Sequence, residues 1–187
     1  WPHPRNVLQK EARSLRLLTT LAEKKRMLMD LGVDKVEVLR FTKDFSMMTT
    51  EEYLRMLIND YGASAILVGY DNRMGCDAKD ADQVGRTAER LGLEVIRTDM
   101  VPSSKGYAVS STKIRQCLEE GGVEDASAML GYEYSLQGVV VAGNRLGRTL
   151  GFPTANMQLY EPLKLVPGNG VYFVRVNTVG RSLYGMC

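Results

Sequence analysis

The sequence predicts an α/β fold on a parallel sheet that gives way, near residue 132, to an all-β unit. Up to about residue 100, apolar runs of strand length alternate with segments of helical period. From Tyr134 onward the helical period is replaced by β-rich runs between Gly, Pro and Asn turns. The 187 residues suffice for one large or two small domains with a real core.

The elements follow in order. Thr20-x-x-Glu23 has capping-box spacing, Leu21, Leu28 and Leu31 share a helical face, and Gly32 can stop the helix, so a helix is predicted over about residues 20–31. Val33, Val36, Val38, Leu39 and Phe41 read as a short strand. Thr49-x-x-Glu52 then opens a second helix bearing Tyr53, Leu54, Leu57 and Ile58. Residues 63–69 are almost wholly apolar, the pattern of a parallel strand covered on both faces, with Tyr70-Asp71 at its carboxyl end. Ala81, Val84, Ala88 and Leu91 recur at helical spacing before Gly92, and residues 93–96 form the next strand.

Such alternation implies right-handed crossovers and a ligand crevice at the carboxyl ends of the strands, near Asp71 and after Ile96. Residues 112–120 and 123–130 read as two short helices, the second ended by Gly131. Runs at 135–141, 170–176 and 182–184 then suggest a barrel or sandwich, for which about 55 residues are marginal. Pro2-His3-Pro4 reads as the exit from an earlier strand, and the chain stops at Met186-Cys187 within or just after another. Both units are therefore expected to be incomplete.

Composition narrows the chemistry. With 24 basic and 22 acidic residues the net charge is only +2, which favours a small-molecule partner over nucleic acid or anionic lipid. No stretch approaches the roughly 18 apolar residues of a membrane span. The three cysteines, Cys76, Cys117 and Cys187, lack Cys-x-x-Cys spacing, and a reducing cytoplasm is expected. The single histidine, His3, rules out a two-histidine metal site within the chain and leaves a Ser-His-Asp triad no histidine but this one, so most hydrolase readings fall away.

Two segments carry candidate sites. Gly143, Gly147 and Gly151 let backbone amides approach an anion closely, Arg148 can hold phosphate charge, and Thr154 and Asn156 offer neutral oxygens to a hard cation. The alternative for this stretch is an ordinary glycine-rich turn. Earlier, Ser110-Ser111-Thr112-Lys113-Ile114-Arg115 opens a helix whose amino end favours an anion; Ser111, Thr112 and Arg115 are the candidate phosphate contacts. Its alternative is a plain N-cap with a surface arginine. Asp71 either caps a turn or, at the sheet edge, binds substrate or positions a cation, and His3, fixed between two prolines, is either structural or a nucleotide contact.

The order Gly-Arg-x-Leu-Gly-Phe-Pro-Thr-Ala-Asn over 147–156 closely resembles the riboflavin kinase signature, and Ser-Ser-Thr-x-Ile-Arg resembles the second ATP signature of HxGH nucleotidyltransferases. With Pro2-His3-Pro4-Arg5, Leu18-Thr19-Thr20, Phe41-Thr42-x-x-Phe45 and Val68-Gly69-Tyr70-Asp71 in order, nearly the whole chain resembles the bifunctional riboflavin kinase/FMN adenylyltransferases. The resemblance implies a Rossmann-like nucleotidyltransferase domain over residues 1–131, then an incomplete riboflavin kinase β-barrel over 132–187. It implies ATP-dependent phosphorylation of riboflavin to FMN, and adenylylation of FMN to FAD with release of pyrophosphate.

By the same resemblance, Ser111, Thr112, Arg115 and His3 contact ATP for adenylylation, Asp71 contacts flavin or nucleotide, and Gly143, Gly147, Arg148, Thr154 and Asn156 bind ATP in the kinase. Thr154 and Asn156 would hold Mg²⁺; riboflavin, FMN and ATP are the implied partners, with no nucleic acid or membrane. The family's paired histidines lie upstream of Pro2 and its general-base glutamate beyond Met186, so no catalytic residue is assigned within the chain. Arg73-Met74-Gly75 also replaces the family's usual Arg-Phe-Gly step. The rival readings are a single-activity nucleotidyltransferase of another pathway and a non-catalytic flavin or nucleotide binding module.

Overall fold

A computed structural model describes residues 3–7, 15–100, 109–144, 146–149, 151–152 and 154–187. The chain divides into two compact units, Trp1–Leu15 with Lys25–Pro102, and Arg16–Lys24 with Ser103–Cys187. The division expected from motif order falls at residue 131; contact density groups the short Arg16–Lys24 segment with Ser103–Cys187.

The first unit contains α1 (Pro4–Val7), most of α2 (Leu21–Asp30), α3 (Lys43–Ser46), α4 (Thr50–Tyr61), β1 (Ala65–Gly69), α5 (Ala81–Arg90) and β2 (Glu94–Thr98). The capping boxes act as their spacing predicts. Glu23 N–H donates to Thr20 Oγ1 and Thr20 N–H to Glu23 Oε2 at the start of α2, and Thr49 with Glu52 does the same for α4. A third box, Asp80 with Gln83, starts α5. These contacts satisfy amides that the first turn leaves without intrahelical acceptors.

β1 and β2 pair in parallel, from Ala65↔Glu94 to Gly69↔Thr98. Leu54 of α4 and Ala88 of α5 meet Ile66 and Val95 on one sheet face, with Leu93 completing the core. Leu67 and Ile96 are 64% and 46% exposed, so among the described residues the strand is not covered on both faces as its apolar run suggests. Residues 33–41 form no strand either. Their β-branched side chains favour extended backbone, but a strand exists only where a ladder partner supplies its hydrogen bonds, and no described strand does so.

The second unit contains α6 (Ser111–Glu119), α7 (Val123–Leu130), β3 (Gly138–Val141), α8 (Leu146–Thr149), β4 (Asn156–Leu159), β5 (Phe173–Thr178) and β6 (Arg181–Met186). β3 and β4 run antiparallel from Gly138↔Leu159 to Val141↔Asn156, and β5 and β6 from Phe173↔Met186 to Thr178↔Arg181. Tyr172 and Cys187 exchange both backbone hydrogen bonds just outside the second ladder. Among the described residues these are two separate two-stranded sheets.

The core of this unit joins helices to the later chain: Ile114 and Leu118 of α6, Ala126 of α7 and Leu165, flanked by Leu18, Val109 and Tyr134. Leu17 N–H donates to Leu163 O at 2.8 Å and Leu165 N–H to Leu17 O at 2.9 Å, an isolated parallel bridge that splices the early segment beside residues 163–165. Gly168 N–H likewise donates to Leu118 O at the end of α6.

Candidate functional site

The loop joining β3 to β4 is folded back on itself by glycine contacts. A Cβ on Gly143 would overlap the Asn156 amide, and one on Gly147 would overlap Phe152 O while pressing on Thr154 Oγ1 and Cγ2 at 3.0 Å. Phe152 N–H donates to Gly147 O at 2.7 Å, which closes the turn after α8. Gly143, Gly147, Thr154 and Asn156 are thereby brought together, with both polar side chains exposed. Arg148 has its backbone in α8, but its side chain and all of Pro153 lie outside the described residues.

The donor set is a hydroxyl and an amide oxygen beside close-approach backbone. No group of three His, Cys, Asp or Glu able to hold a metal occurs among the described residues. Magnesium suits this arrangement, because it takes a few hard oxygens from protein and completes its shell with water and substrate phosphates. At Gly143 and Gly147 the place of a Cβ is taken by the chain's own Asn156 amide and Phe152 O, so glycine there lets the loop close on itself and bring Thr154 and Asn156 together. The sequence reading missed β4 and α8 because glycine spacing and the ligand pattern masked a four-residue strand with the sequence Asn-Met-Gln-Leu.

At α6 the N-cap is Ser110, whose Oγ accepts from Lys113 N–H at 3.3 Å. Ser111 and Thr112 therefore occupy the first turn, both exposed, where free amides and the helix dipole favour an anion. Arg115, half-buried one turn along, donates from Nε to Arg16 O at 3.0 Å. That anchor, 99 residues away in sequence, involves a main-chain carbonyl and leaves no side-chain signal.

The segment that supplies Arg16 O is itself tied to an ion pair that sequence reasoning also missed. Lys164 and Glu23 are both 4% exposed, with Nζ 2.7 Å from Oε2. Lys164 also donates to Leu18 O at 2.8 Å and sits 4.5 Å from the Tyr134 ring centroid. Burial holds the Lys164 ammonium below its ordinary range, against the hydrogen bond and charge of Glu23, which push it up. Burial pushes the Tyr134 phenol up, reinforced by Glu23 and Tyr132 and opposed by Arg115. Tyr134 O–H donates to Leu165 O at 2.7 Å.

Asp71 and His3 belong to the first unit. Asp71 is exposed in the turn after β1, where Asn72 N–H donates to Gly69 O at 3.1 Å. Asn72 Oδ1 is buried and has no partner among the described residues, an acceptor beside Asp71 that no motif marks. Half-buried His3 immediately precedes α1; Pro2, beside it in the motif, lies outside the described residues.

The following loop is pinned to α4. Asp77 Oδ1 accepts from Thr50 N–H at 2.9 Å, and Thr50 Oγ1 lies 2.8 Å from both that oxygen and Met74 O. The Thr50 amide, with its hydroxyl, holds the Asp77 carboxyl below the ordinary carboxylate range. Met74, at the place of the expected aromatic, packs against the Leu54 core.

A family described as FAD synthetase matches residues 1–113, and a family described as riboflavin kinase matches residues 130–187. A bifunctional riboflavin kinase/FMN adenylyltransferase of Listeria monocytogenes is 33% identical over 99% of this chain and 58% of its own length. One from Escherichia coli is 34% identical over 88% of this chain and 52% of its own. The chain thus spans just over half the length of these curated relatives. A crystal structure named as a macrolide-efflux protein from Streptococcus pneumoniae superposes with a TM-score of 0.88 at 33% identity, covering 98% of this chain and 59% of that one. No helix among the described residues is long and apolar enough to cross a membrane. With the two family matches falling in the order of the two glycine- and serine-marked segments, the chain belongs to the FAD synthetase family and continues into a riboflavin kinase segment.

Proposed function

We propose that this chain carries two ATP-using sites of FAD biosynthesis in the cytoplasm: FMN adenylylation by residues 1–131 and riboflavin phosphorylation by residues 132–187, the latter part of a β-barrel. The observation that carries the reading is the fit of Gly143 against Asn156 and Gly147 against Thr154, which gathers the motif residues into one exposed loop.

In the kinase, loop amides and Arg148 hold the ATP phosphates, while Thr154 and Asn156 present oxygens to the accompanying magnesium. Magnesium, when bound, supplies charge that offsets the developing negative charge on the phosphoryl group. The loop's part is positioning, which phosphoryl transfer needs more than covalent help. In the adenylyltransferase, a phosphate oxygen of FMN attacks the α-phosphorus and the α–β bond breaks. Ser111, Thr112, Arg115 and the amides of α6 bind the β- and γ-phosphates, in bound ATP as in the departing pyrophosphate, while Asp71 and His3 contact flavin or nucleotide.

The test is to assay, in the full-length gene product, FMN formation from riboflavin and FAD formation from supplied FMN. Asn156→Ala should lower the first about tenfold or more and spare the second. Arg115→Ala should lower the second by roughly 10- to 100-fold, the loss of a charge-assisted contact, and spare the first. Equal loss of both activities in each folded variant would replace two sites with a single shared ATP site.

A further inference from the structure

We infer that Lys164, which lies in the kinase segment, is a positioning residue for FMN adenylylation and acts through Arg115. This rests on the function proposed above and extends it, since no motif or family match gives Lys164 a role.

The path lies wholly within the second unit. Residues 16–18 are held by three contacts from one short stretch: the two backbone hydrogen bonds of Leu17 with Leu163 and Leu165, and the Lys164 ammonium on Leu18 O. The ammonium has three donors, and the described structure directs it to Leu18 O, Glu23 Oε2 and the face of Tyr134. Glu23 Oε2 in turn accepts from Thr20 N–H, so both ends of the turn into α2 are fixed by the same cation. The carbonyl immediately before this clamp, Arg16 O, is the one that Arg115 Nε engages.

The geometry decides what Arg115 can do. Its rigid fork has five donors, and the bond through Nε fixes the plane and leaves the outer edge of the guanidinium for a bidentate anion. A shift of Arg16 O would rotate that plane away from the first turn of α6, where Ser111 and Thr112 stand. The ion pair is an expensive way to hold a backbone segment. Both groups are buried, burial outweighs the partner's pull on Lys164, and Glu23 Oε1 has no partner among the described residues. Apolar packing against Leu165 would join the segments at less cost, but it would not orient the Leu18 and Arg16 carbonyls.

The experiment is a double-mutant cycle in the full-length gene product, reading KM for ATP and kcat in FAD formation, with riboflavin phosphorylation and thermal unfolding alongside. Lys164→Met should raise KM for ATP about fivefold or more with little change in kcat. It should have no such effect in an Arg115→Ala background, because a residue acting through Arg115 has nothing left to orient. Because Lys164→Met strands the buried Glu23 carboxylate, the same cycle is run with Glu23→Gln/Lys164→Met, which removes both charges and keeps similar volume. Lys164→Arg, which retains the cation, should restore part of the wild-type KM.

An unchanged KM in the charge-free pair, or an equal rise with and without Arg115, overturns the inference. If the wild-type protein makes no FAD from FMN, the proposed function fails instead, so the two failures are distinguishable.

Discussion

Gly147 and Gly143 are where a single methyl group separates two readings of the β3–β4 loop. An ordinary glycine-rich turn tolerates Ala wherever φ is negative, but here the added Cβ meets Phe152 O and Thr154 at one position and the Asn156 amide at the other. Gly147→Ala should displace Thr154 by a few tenths of an ångström to about 1 Å, which in a positioning site costs up to roughly 10²-fold. Riboflavin phosphorylation should fall on that scale while FAD formation from FMN persists; retention of full kinase activity would return the loop to the status of a turn. The sequence marked Gly143, Gly147, Thr154 and Asn156 as members of one motif, but its spacing gave no sign that Gly143 meets Asn156 or that Gly147 meets Thr154. It could not show the Arg115 anchor, since any residue at position 16 offers the same carbonyl.

Among the elements, α4 depends on a long-range cap. Its first turn has the predicted capping box, and Asp77, 27 residues away, adds a second acceptor at Thr50 N–H. Thr50 is fully buried, so Thr50→Val removes a hydroxyl that serves Met74 O and Asp77 and should cost about 1–3 kcal/mol, measured by urea unfolding.

The pH dependence has a definite sign. A carboxyl held below its unfolded value of 3.8 gives stability that is present above that pH and lost as pH falls through the lower folded value. Acid unfolding of the protein should therefore lose part of its steepness below pH 3.8 in Asp77→Asn; identical acid limbs would remove the clamp from the account. The capping boxes were readable because they are local and encoded by side chains. The Val33–Phe41 run was misread because propensity gives a conformation but no partner, and the one-sided sheet was misread because an apolar run does not say which face is covered.

At the scale of the molecule, the motifs and the packing divide the chain differently. The nucleotidyltransferase unit expected from the motifs, residues 1–131, would end with α6 and α7, yet their core is completed by Leu165 and Tyr134, and the charge of Glu23 is balanced by Lys164. A chain cut after Gly131 keeps both helices and the whole signature but loses all three residues. An uncompensated buried carboxylate costs about 3–5 kcal/mol, and deleting a buried leucine side chain costs about 2–5 kcal/mol. Their sum is comparable to the whole stability of an ordinary domain, about 5–15 kcal/mol. Residues 1–131 alone should therefore show fast amide exchange throughout α6 and α7, while residues 1–172, which restore Tyr134, Lys164, Leu165 and the Gly168 contact to Leu118 O, should protect them. Equal protection in both fragments would mean that α6 and α7 are held by the preceding chain, and that the kinase segment contributes nothing to the helix bearing Ser111 and Arg115.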